Sequence, residues 1–241
     1  MPFRSSSWPA ALLLLLVSLS LAPDAAARDP LWQTLPWDER MGVSWYEKRG
    51  AQGDVAAQVR AAQMHEQGIG TEADPAEAAR WYARAADRGH PLALFKTARA
   101  WQTGLLGSVD LAKAAALYRA AAQAGVGAAS FNLAVMAENG QGLPRDRARA
   151  ATLYAQAWRQ GVAKAGLSLG LLRLTGRDSD ALTAYAWLAA AAEAGVAGAT
   201  QQRDRLAELL GPEAVAQAVA RRLPPLGGAE RNAEGDAESG G

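Results

Sequence analysis

Histidine, cysteine and serine carry much of the catalysis and metal binding in proteins, and this chain offers few of them in useful patterns. It has no cysteine and only two histidines, His65 and His90. Cysteine-based zinc sites, thiol nucleophiles and disulfides are therefore excluded. Glu66 follows His65, but no second histidine stands at the spacing of a metalloprotease motif. We therefore expect His65 to be a packed residue rather than a ligand.

Other motifs of nucleophilic catalysis and phosphate binding do not indicate a site either. No β-lactamase motif or P-loop occurs along the chain. Gly166-Leu167-Ser168-Leu169-Gly170 has the spacing of a serine-hydrolase elbow, but it lies within a predicted helix A and not at the strand-to-helix turn that such an elbow requires. The sequence thus predicts no catalytic residue, no cofactor and no metal, and the chain is not expected to be an enzyme.

Composition limits the class of protein further. The 241 residues are 50% hydrophobic and 20% charged, with a formal net charge of +1. This balance excludes an intrinsically disordered chain and a strongly basic nucleic-acid binder. Alanine, the best helix former, is very frequent. We therefore expect an all-α protein with closely approaching helices.

The N-terminus has the layout of a secretory signal peptide. A short positive start, Met1–Arg4, precedes the uncharged run Ala10–Leu21, and small residues follow at Ala25-Ala26-Ala27. The apolar run is shorter than the ~20 residues that span a bilayer, although an uncleaved anchor is an alternative. We expect an exported product with no membrane span after cleavage of residues 1–27, located in the periplasm or, alternatively, secreted.

The rest of the chain is built on a repeat of 36 residues. Three series of residues share this period: two of glycine, Gly53/Gly89/Gly125/Gly161 and Gly68/Gly104/Gly140/Gly176, and one of tyrosine, Tyr46/Tyr82/Tyr118/Tyr154. Gly195 follows Gly161 after 34 residues because one loop is two residues shorter. Several series with one period predict a repeated structural unit.

Each unit is predicted to contain two helices, which we name helix A and helix B. Helix A follows the first glycine, and a glycine-containing loop leads to helix B. Helix B begins at a capping residue, as in Asp74-Pro75-Ala76-Glu77, and ends at the next glycine. Asp110 and Asp146 occupy the same register, and Ser179 or Asp180 caps the fourth helix B. We expect the tyrosines to pack in the core.

These units resemble the Sel1-like repeat, a relative of the tetratricopeptide repeat. The resemblance rests on Ala57-Gln58, Met64, Gly68-x-Gly70, Ala78-x-x-Trp81-Tyr82 and Ala85-Ala86-x-x-Gly89, and it extends over about Met41–Leu223. It implies a right-handed α-solenoid of about four repeats, in which neighbouring helix pairs bury each other's apolar faces. The second loop departs from the pattern because Leu105 and Leu106 separate Gly104 from Gly107.

The resemblance and the glycine spacing together divide the chain into segments. These are a signal peptide (1–27), an N-terminal half-repeat cap (28–52), four repeats within 53–195 (53–88, 89–124, 125–160 and 161–194), C-terminal capping helices (196–223) and a disordered tail (224–241). Within the capping segment we expect helices at Ala197–Leu210 and Pro212–Leu223.

A candidate partner-binding face lies on the concave side of the solenoid, which helices A usually line, at the helix A positions that vary between repeats and should therefore point outward. It carries several cations and no acidic residue, which predicts a groove for an acidic segment of a protein partner. An ordinary solvated helix face is the alternative, and the aromatic N-terminal cap is another candidate site. The predicted contact residues are Arg60, Gln63, Lys96, Arg99, Asn132, Val135, Lys164, Leu171 and Arg205.

The family resemblance implies a function in protein–protein interaction. We expect a monomeric, non-enzymatic scaffold, adaptor or regulator of the bacterial cell envelope that binds a protein and no nucleic acid. The alternatives are a secreted surface or virulence adaptor and, less well supported by the residues, an envelope enzyme or small-ligand binder.

Overall fold

The computed structural model describes residues 42–175, 180–221 and 223–227. These residues form eleven α-helices and no β-strand, which confirms the all-α prediction. The predicted signal peptide and the first part of the half-repeat cap lie outside the described residues, as does most of the predicted tail. The helices are α1 (Val43–Ala51), α2 (Val55–Gln67), α3 (Pro75–Ala86), α4 (Pro91–Thr103), α5 (Leu111–Gln123), α6 (Gly127–Asn139), α7 (Arg147–Arg159), α8 (Lys164–Leu174), α9 (Ala181–Glu193), α10 (Ala199–Leu210) and α11 (Pro212–Val219).

The helices form an α-solenoid in which each one packs mainly against its neighbours in sequence. Helices A and B of the four repeats are the pairs α2/α3, α4/α5, α6/α7 and α8/α9, and each helix B also contacts the helix A that follows it. A single pair exposes an apolar face on each side, so the stack is needed to bury it. Among the described residues no helix is long and apolar enough to cross a membrane.

Aspartates cap the start of every helix B in the four repeats. The side chains of Asp74, Asp110, Asp146 and Asp180 each accept a hydrogen bond from a backbone N–H in the first helical turn. Asp180 therefore caps α9. Such a cap satisfies a helix N–H that has no partner within the helix.

Small residues allow the helices to approach closely. Alanines dominate the buried core, and the tyrosines of the repeats fill the space between helices A and B; Tyr118 and Tyr154 are almost completely buried. In α8 a Cβ atom at Gly166 would lie 2.6 Å from the Trp158 ring, and one at Gly170 would lie 2.8 Å from Leu188. Glycine at these two positions thus sets the distance between α8 and its neighbours.

The C-terminal end differs from the prediction in three respects. The fifth helix A begins at Ala199 rather than Ala197, and α11 ends at Val219 rather than Leu223. The chain then turns back, and Trp158 Nε1 donates a 2.8 Å hydrogen bond to the Pro224 carbonyl. A disordered tail starting at residue 224 is therefore wrong for residues 224–227, and residues 228–241 lie outside the described part.

Candidate partner-binding face

The nine predicted contact residues are distributed over five helices of the A type, namely α2, α4, α6, α8 and α10. The structure divides them into three groups: buried residues, residues that link neighbouring repeats, and residues that remain accessible. Only the third group can contact a partner without rearrangement of the fold.

Arg60 and Gln63 form the buried group, so the prediction that they point outward is wrong. They are 7% exposed, and Arg60 Nη1 donates a 3.3 Å hydrogen bond to Gln63 Oε1. The guanidinium carbon of Arg60 lies 5.9 Å from the centroid of the Tyr46 ring on α1. The first helix A is covered because α1 packs against it.

Lys96 links two repeats through an ion pair that the pattern of helix A positions did not predict. Its Nζ lies 2.7 and 2.9 Å from the two carboxylate oxygens of Glu66, which is on the preceding helix A. The same carboxylate accepts a 2.9 Å hydrogen bond from the Tyr82 hydroxyl. Burial and the Glu66 charge raise the pKa of Tyr82 well above its usual value, so the phenol stays protonated and donates.

The next two repeats contain the same arrangement with different polar groups. The Tyr118 hydroxyl donates to Gln102 over 2.7 Å, and the Tyr154 hydroxyl donates to Glu138 over 2.8 Å. Burial raises the pKa of Tyr118 to about 12, although a hydrogen bond from Asn132 and the charge of Arg99 oppose the shift. Asn132 is half-buried and stands at the position of Lys96, 36 residues later.

A spacing signal for these links is present in the sequence. Each tyrosine follows its acceptor by 16 residues and precedes the polar residue of the next helix A by 14, as in Glu66, Tyr82 and Lys96. The 36-residue period relates equivalent positions only, and the acidic partner of Lys96 shows itself at these two shorter separations instead.

Four accessible residues lie one helical turn further along their helix A than Lys96 and Asn132 do. Arg99 and Arg205 are exposed, Val135 is half-buried, and Leu171 is 38% exposed. Arg99 makes no hydrogen bond or ion pair through its guanidinium with the described residues. Lys164 is half-buried, with its Nζ 5.6 Å from the centroid of the Phe131 ring.

A small cleft opens beside Arg99. It has a volume of about 100 Å³ and is formed by α2, α3 and α4, with Ala78, Ala79 and Tyr82 contributing apolar surface and Glu66 and Lys96 contributing the ion pair. Ligand pockets usually enclose ~300–1,000 Å³, so this cleft suits a single side chain better than a substrate. Within the described residues no three histidine, aspartate or glutamate side chains are grouped to hold a metal ion.

His65 is buried and contacts a side chain of the neighbouring helix α1. It is 8% exposed, and its Nε2 lies 2.8 Å from Glu47 Oε1, which connects α2 to α1. This agrees with the prediction of a packed histidine.

Comparison with protein families matches the Sel1 repeat over residues 33–54, 55–90, 91–126, 127–162 and 163–196, which together make up more than half of the chain. The chain belongs to the Sel1 repeat family. Sel1 repeat proteins are generally scaffolds for protein–protein interaction and are typically non-enzymatic. Among curated proteins no relative matches the chain.

Solved structures similar to this Sel1 repeat protein include the following two. One is a protective antigen present in uropathogenic Escherichia coli strains that displays an SLR fold, with 28% identity and a TM-score of 0.65; the match covers 73% of this chain and 38% of the antigen. The other is a Sel1 repeat protein from Oxalobacter formigenes, with 26% identity, a TM-score of 0.60 and coverage of 73% and 76%. The chain therefore spans well under half of the antigen.

The accessible Sel1 helix A positions form a series of their own. Arg99, Val135 and Leu171 occupy the same position in three successive repeats, separated by the 36-residue period. The first residue of the series is a cation, and the other two have apolar side chains. We call these three residues the helix A ladder.

Proposed function

We propose that this Sel1 repeat protein is a non-enzymatic scaffold or adaptor of the bacterial cell envelope that binds an extended segment of a partner protein along the helix A ladder. The partner segment carries an acidic side chain that meets Arg99 and apolar side chains that meet Val135 and Leu171. Secretion as a surface adaptor is the alternative location.

The observation that carries this proposal is the position of Arg99. Its side chain is exposed and has no ion pair within the described residues, whereas Lys96, one turn earlier, is already paired with Glu66. A partner carboxylate can therefore approach Arg99 without displacing an internal acid. Such a charge contact contributes mainly to orientation and association rate.

The location rests on the sequence of residues 1–27, which has the order of charged, apolar and small residues of a signal peptide. Export of the chain would place the ladder in the envelope. Fractionation of a Gram-negative host that expresses the full chain, with a tag after residue 241, tests this step. Recovery in the cytoplasm with residues 1–27 still attached would contradict it.

Quantitative capture of partners from the envelope fraction tests the binding face. The bait is the tagged full chain, and the test variant is Arg99→Glu. We expect at least a tenfold loss of the captured partner, which corresponds to about 1.4 kcal/mol. Lys96→Glu is unsuitable as a test variant because it also breaks the contact with Glu66.

Arg119→Glu is the matched control, since Arg119 is an exposed arginine on α5, a helix of the B type. It makes the same change in charge and should retain the partner. Leu171→Ser tests the apolar part of the ladder, and we expect it to weaken binding without changing the dependence on salt. Equal capture by the wild type, Arg99→Glu and Leu171→Ser would refute the helix A ladder as the binding face.

A further inference from the structure

A second surface of interest lies among helices of the B type, where the C-terminal end of the chain returns to α7. Residues Leu223–Gly227 pass close to α7, α9 and α11. Beside them remains an open cleft of about 500 Å³ whose walls include Trp158 and several alanines of α9. This volume falls in the range of ligand pockets, and it is five times that of the cleft next to Arg99. We call this cleft, together with the adjoining surface of α7 and α9 that Leu223 and Leu226 cover, the tryptophan groove.

The segment that makes the contacts in the tryptophan groove, Leu223-Pro224-Pro225-Leu226, has two consecutive prolines between two leucines. Leu223 and Leu226 pack against the buried cluster that contains Trp158 and Trp187. The two indole rings meet edge to face, with their centroids 5.6 Å apart. Trp158 is only 3% exposed, and its Nε1 donates a 2.8 Å hydrogen bond to the Pro224 carbonyl.

The chemistry of this contact is that by which proteins recognise proline-rich segments. A residue before proline is restricted to extended or polyproline conformations, and here both Leu223 and Pro224 precede a proline. A segment of this kind loses little conformational entropy when it binds, and it presents its carbonyls to donors. Aromatic surfaces with an N–H donor are the usual partners of such segments.

The segment does not fill the groove. Ala186, Ala189, Ala190 and Ala194 line the cleft, and their small side chains leave apolar space next to the proline contact. Glu193 and Arg221 also line the cleft and provide polar groups. A longer or bulkier apolar segment would therefore make more contacts than Leu223–Leu226 makes.

We propose that the tryptophan groove is a binding site for a proline-rich apolar segment of another protein, and that Leu223–Leu226 occupies this site within the same chain and competes with the partner. The segment seated on Trp158 identifies the chemistry of the occupant. A ligand that must displace the segment binds only those molecules in which the groove is open. Its apparent affinity is therefore the intrinsic affinity multiplied by the open fraction.

This inference does not depend on the helix A ladder. The tryptophan groove is built by α7, α9 and α11, whereas Arg99 lies on α4 and Leu171 on α8. Arg99→Glu should therefore leave the groove unchanged, and the failure of one proposal would not imply the failure of the other.

Binding of a synthetic peptide to the full chain tests the inference. The probe is a blocked peptide with the sequence of residues 221–228, and the control peptide has alanine in place of Pro224 and Pro225. The variant Leu223→Ser/Leu226→Ser weakens the internal segment and opens the groove. If the segment occupies the wild-type groove about nine-tenths of the time, this variant should bind the proline peptide about tenfold more tightly than the wild type does.

The indole N–H signals of the ¹⁵N-tryptophan-labelled chain report the binding site. Trp158 is assigned by the signal lost in Trp158→Phe. We expect the Trp158 signal to shift in the opened variant and to return toward its wild-type position when the proline peptide is added. The alanine peptide should not restore it, because it lacks the restricted backbone.

Two further variants control for folding and for site. Leu209→Ser changes an exposed leucine of α10 outside the groove and should behave as the wild type does. Ala190→Leu, added to the opened variant, fills the groove without removing a core side chain and should abolish peptide binding. Helix content by circular dichroism checks that each variant is folded. If Trp158→Phe does not fold, the loss of peptide binding in Ala190→Leu still tests the site.

Three results would overturn the inference. The first is equal binding of the proline peptide by the wild type and the opened variant. The second is equal binding of the proline and alanine peptides. The third is a wild-type chain that dimerises in sedimentation experiments while the opened variant stays monomeric, because the segment would then serve a second copy of this chain.

Discussion

The Tyr154 hydroxyl donates a 2.8 Å hydrogen bond to Glu138, which lies 16 residues earlier on the partner helix of the same repeat. The bond connects the middle of helix B to the last turn of helix A. Burial and the Glu138 charge raise the pKa of Tyr154, so the phenol is a permanent donor. Tyr82 with Glu66 and Tyr118 with Gln102 repeat the contact at the same separation.

The fourth repeat replaces both members of this pair together. Leu188 stands eight residues after the capping Asp180, as Tyr154 does after Asp146, and Leu174 stands at the position of Glu138. Leu188 is fully buried, and Leu174 packs against its cluster. A polar pair and an apolar pair thus satisfy the same site, whereas a tyrosine without its acceptor would leave a buried hydroxyl unpaired.

Tyr154→Phe should destabilise the protein by about 1–2 kcal/mol, because it removes the donor and leaves the Glu138 carboxylate without this hydrogen bond. Urea denaturation followed by circular dichroism measures the free energy of unfolding. Tyr185→Phe is the matched control, since Tyr185 is 8% exposed but its hydroxyl has no hydrogen-bond partner among the described residues. Equal losses for the two variants would show that the Glu138 contact contributes nothing.

The ion pair between Lys96 and Glu66 should stabilise the stack rather than bind a partner. A double-mutant cycle with Lys96→Met and Glu66→Gln should give a coupling energy of about 1 kcal/mol that decreases at high salt, since both side chains are partly exposed. Arg99→Glu, which breaks no ion pair, should change the stability by less than about 0.5 kcal/mol. A coupling energy of zero would return Lys96 to the list of residues free to bind a partner.

Local signals in the sequence were sufficient to predict most of the solenoid. The capping aspartates lie next to the helices that they cap, and glycines such as Gly89 and Gly125 follow the helices that they end, with φ of +78° and +91°. These features depend on a few consecutive residues, so the period, the pairing of helices and the all-α fold follow from the sequence.

Features that depend on contacts between distant residues could not be predicted in the same way. The burial of Arg60 and Gln63 follows from the position of α1, and no property of α2 itself indicates it. The contact between Trp158 and Pro224 joins residues 66 positions apart, and the composition of residues 224–241 suggested disorder instead. Helix periodicity shows which face of a helix is polar, but it does not show which polar side chains are already paired.

The backbone at Gly142 approaches the preceding repeat closely, so we expect a substitution there to destabilise the protein. The φ of Gly142 is +70°, and a Cβ atom there would lie 2.2 Å from the Leu111 carbonyl oxygen at the start of α5. Gly142→Ala combines left-handed strain of about 1–2 kcal/mol with a clash against backbone, so we expect a total loss of about 3 kcal/mol or more.

Gly125→Ala separates the two causes of this loss. Gly125 has a φ of +91°, but no atom would lie within 4 Å of an added Cβ. It should therefore show only the strain, about 1–2 kcal/mol. Thermal and urea denaturation of the two variants measure the difference. Losses of equal size would mean that the loop moves away from Leu111 at no cost.

The cap at Asp180 should make stability depend on pH in the acid range. Burial alone would raise the pKa of Asp180, but hydrogen bonds from the Thr183 backbone and hydroxyl and from Arg221 outweigh it and hold the pKa at about 2. Arg221 Nη1 lies 2.8 Å from the carboxylate and ties the end of α11 to the start of α9.

The sign of this effect follows from the lowered pKa. The stabilisation is fully present above the pKa of an unfolded aspartate, about 3.9, and is lost as the pH falls toward the folded value of about 2. Asp180→Asn keeps a capping side chain but cannot titrate. The free energy by which the wild type exceeds this variant should therefore shrink between about pH 4 and pH 2.

The size of the change should be less than about 1 kcal/mol, because 42% of the Asp180 side chain is exposed and solvent screens the charge. Urea denaturation of both proteins across this pH range measures it. In the Arg221→Met background the same comparison should give a smaller change, since one of the three groups that lower the pKa is gone. A difference between wild type and Asp180→Asn that stays constant with pH would mean that the carboxylate charge does not stabilise the cap.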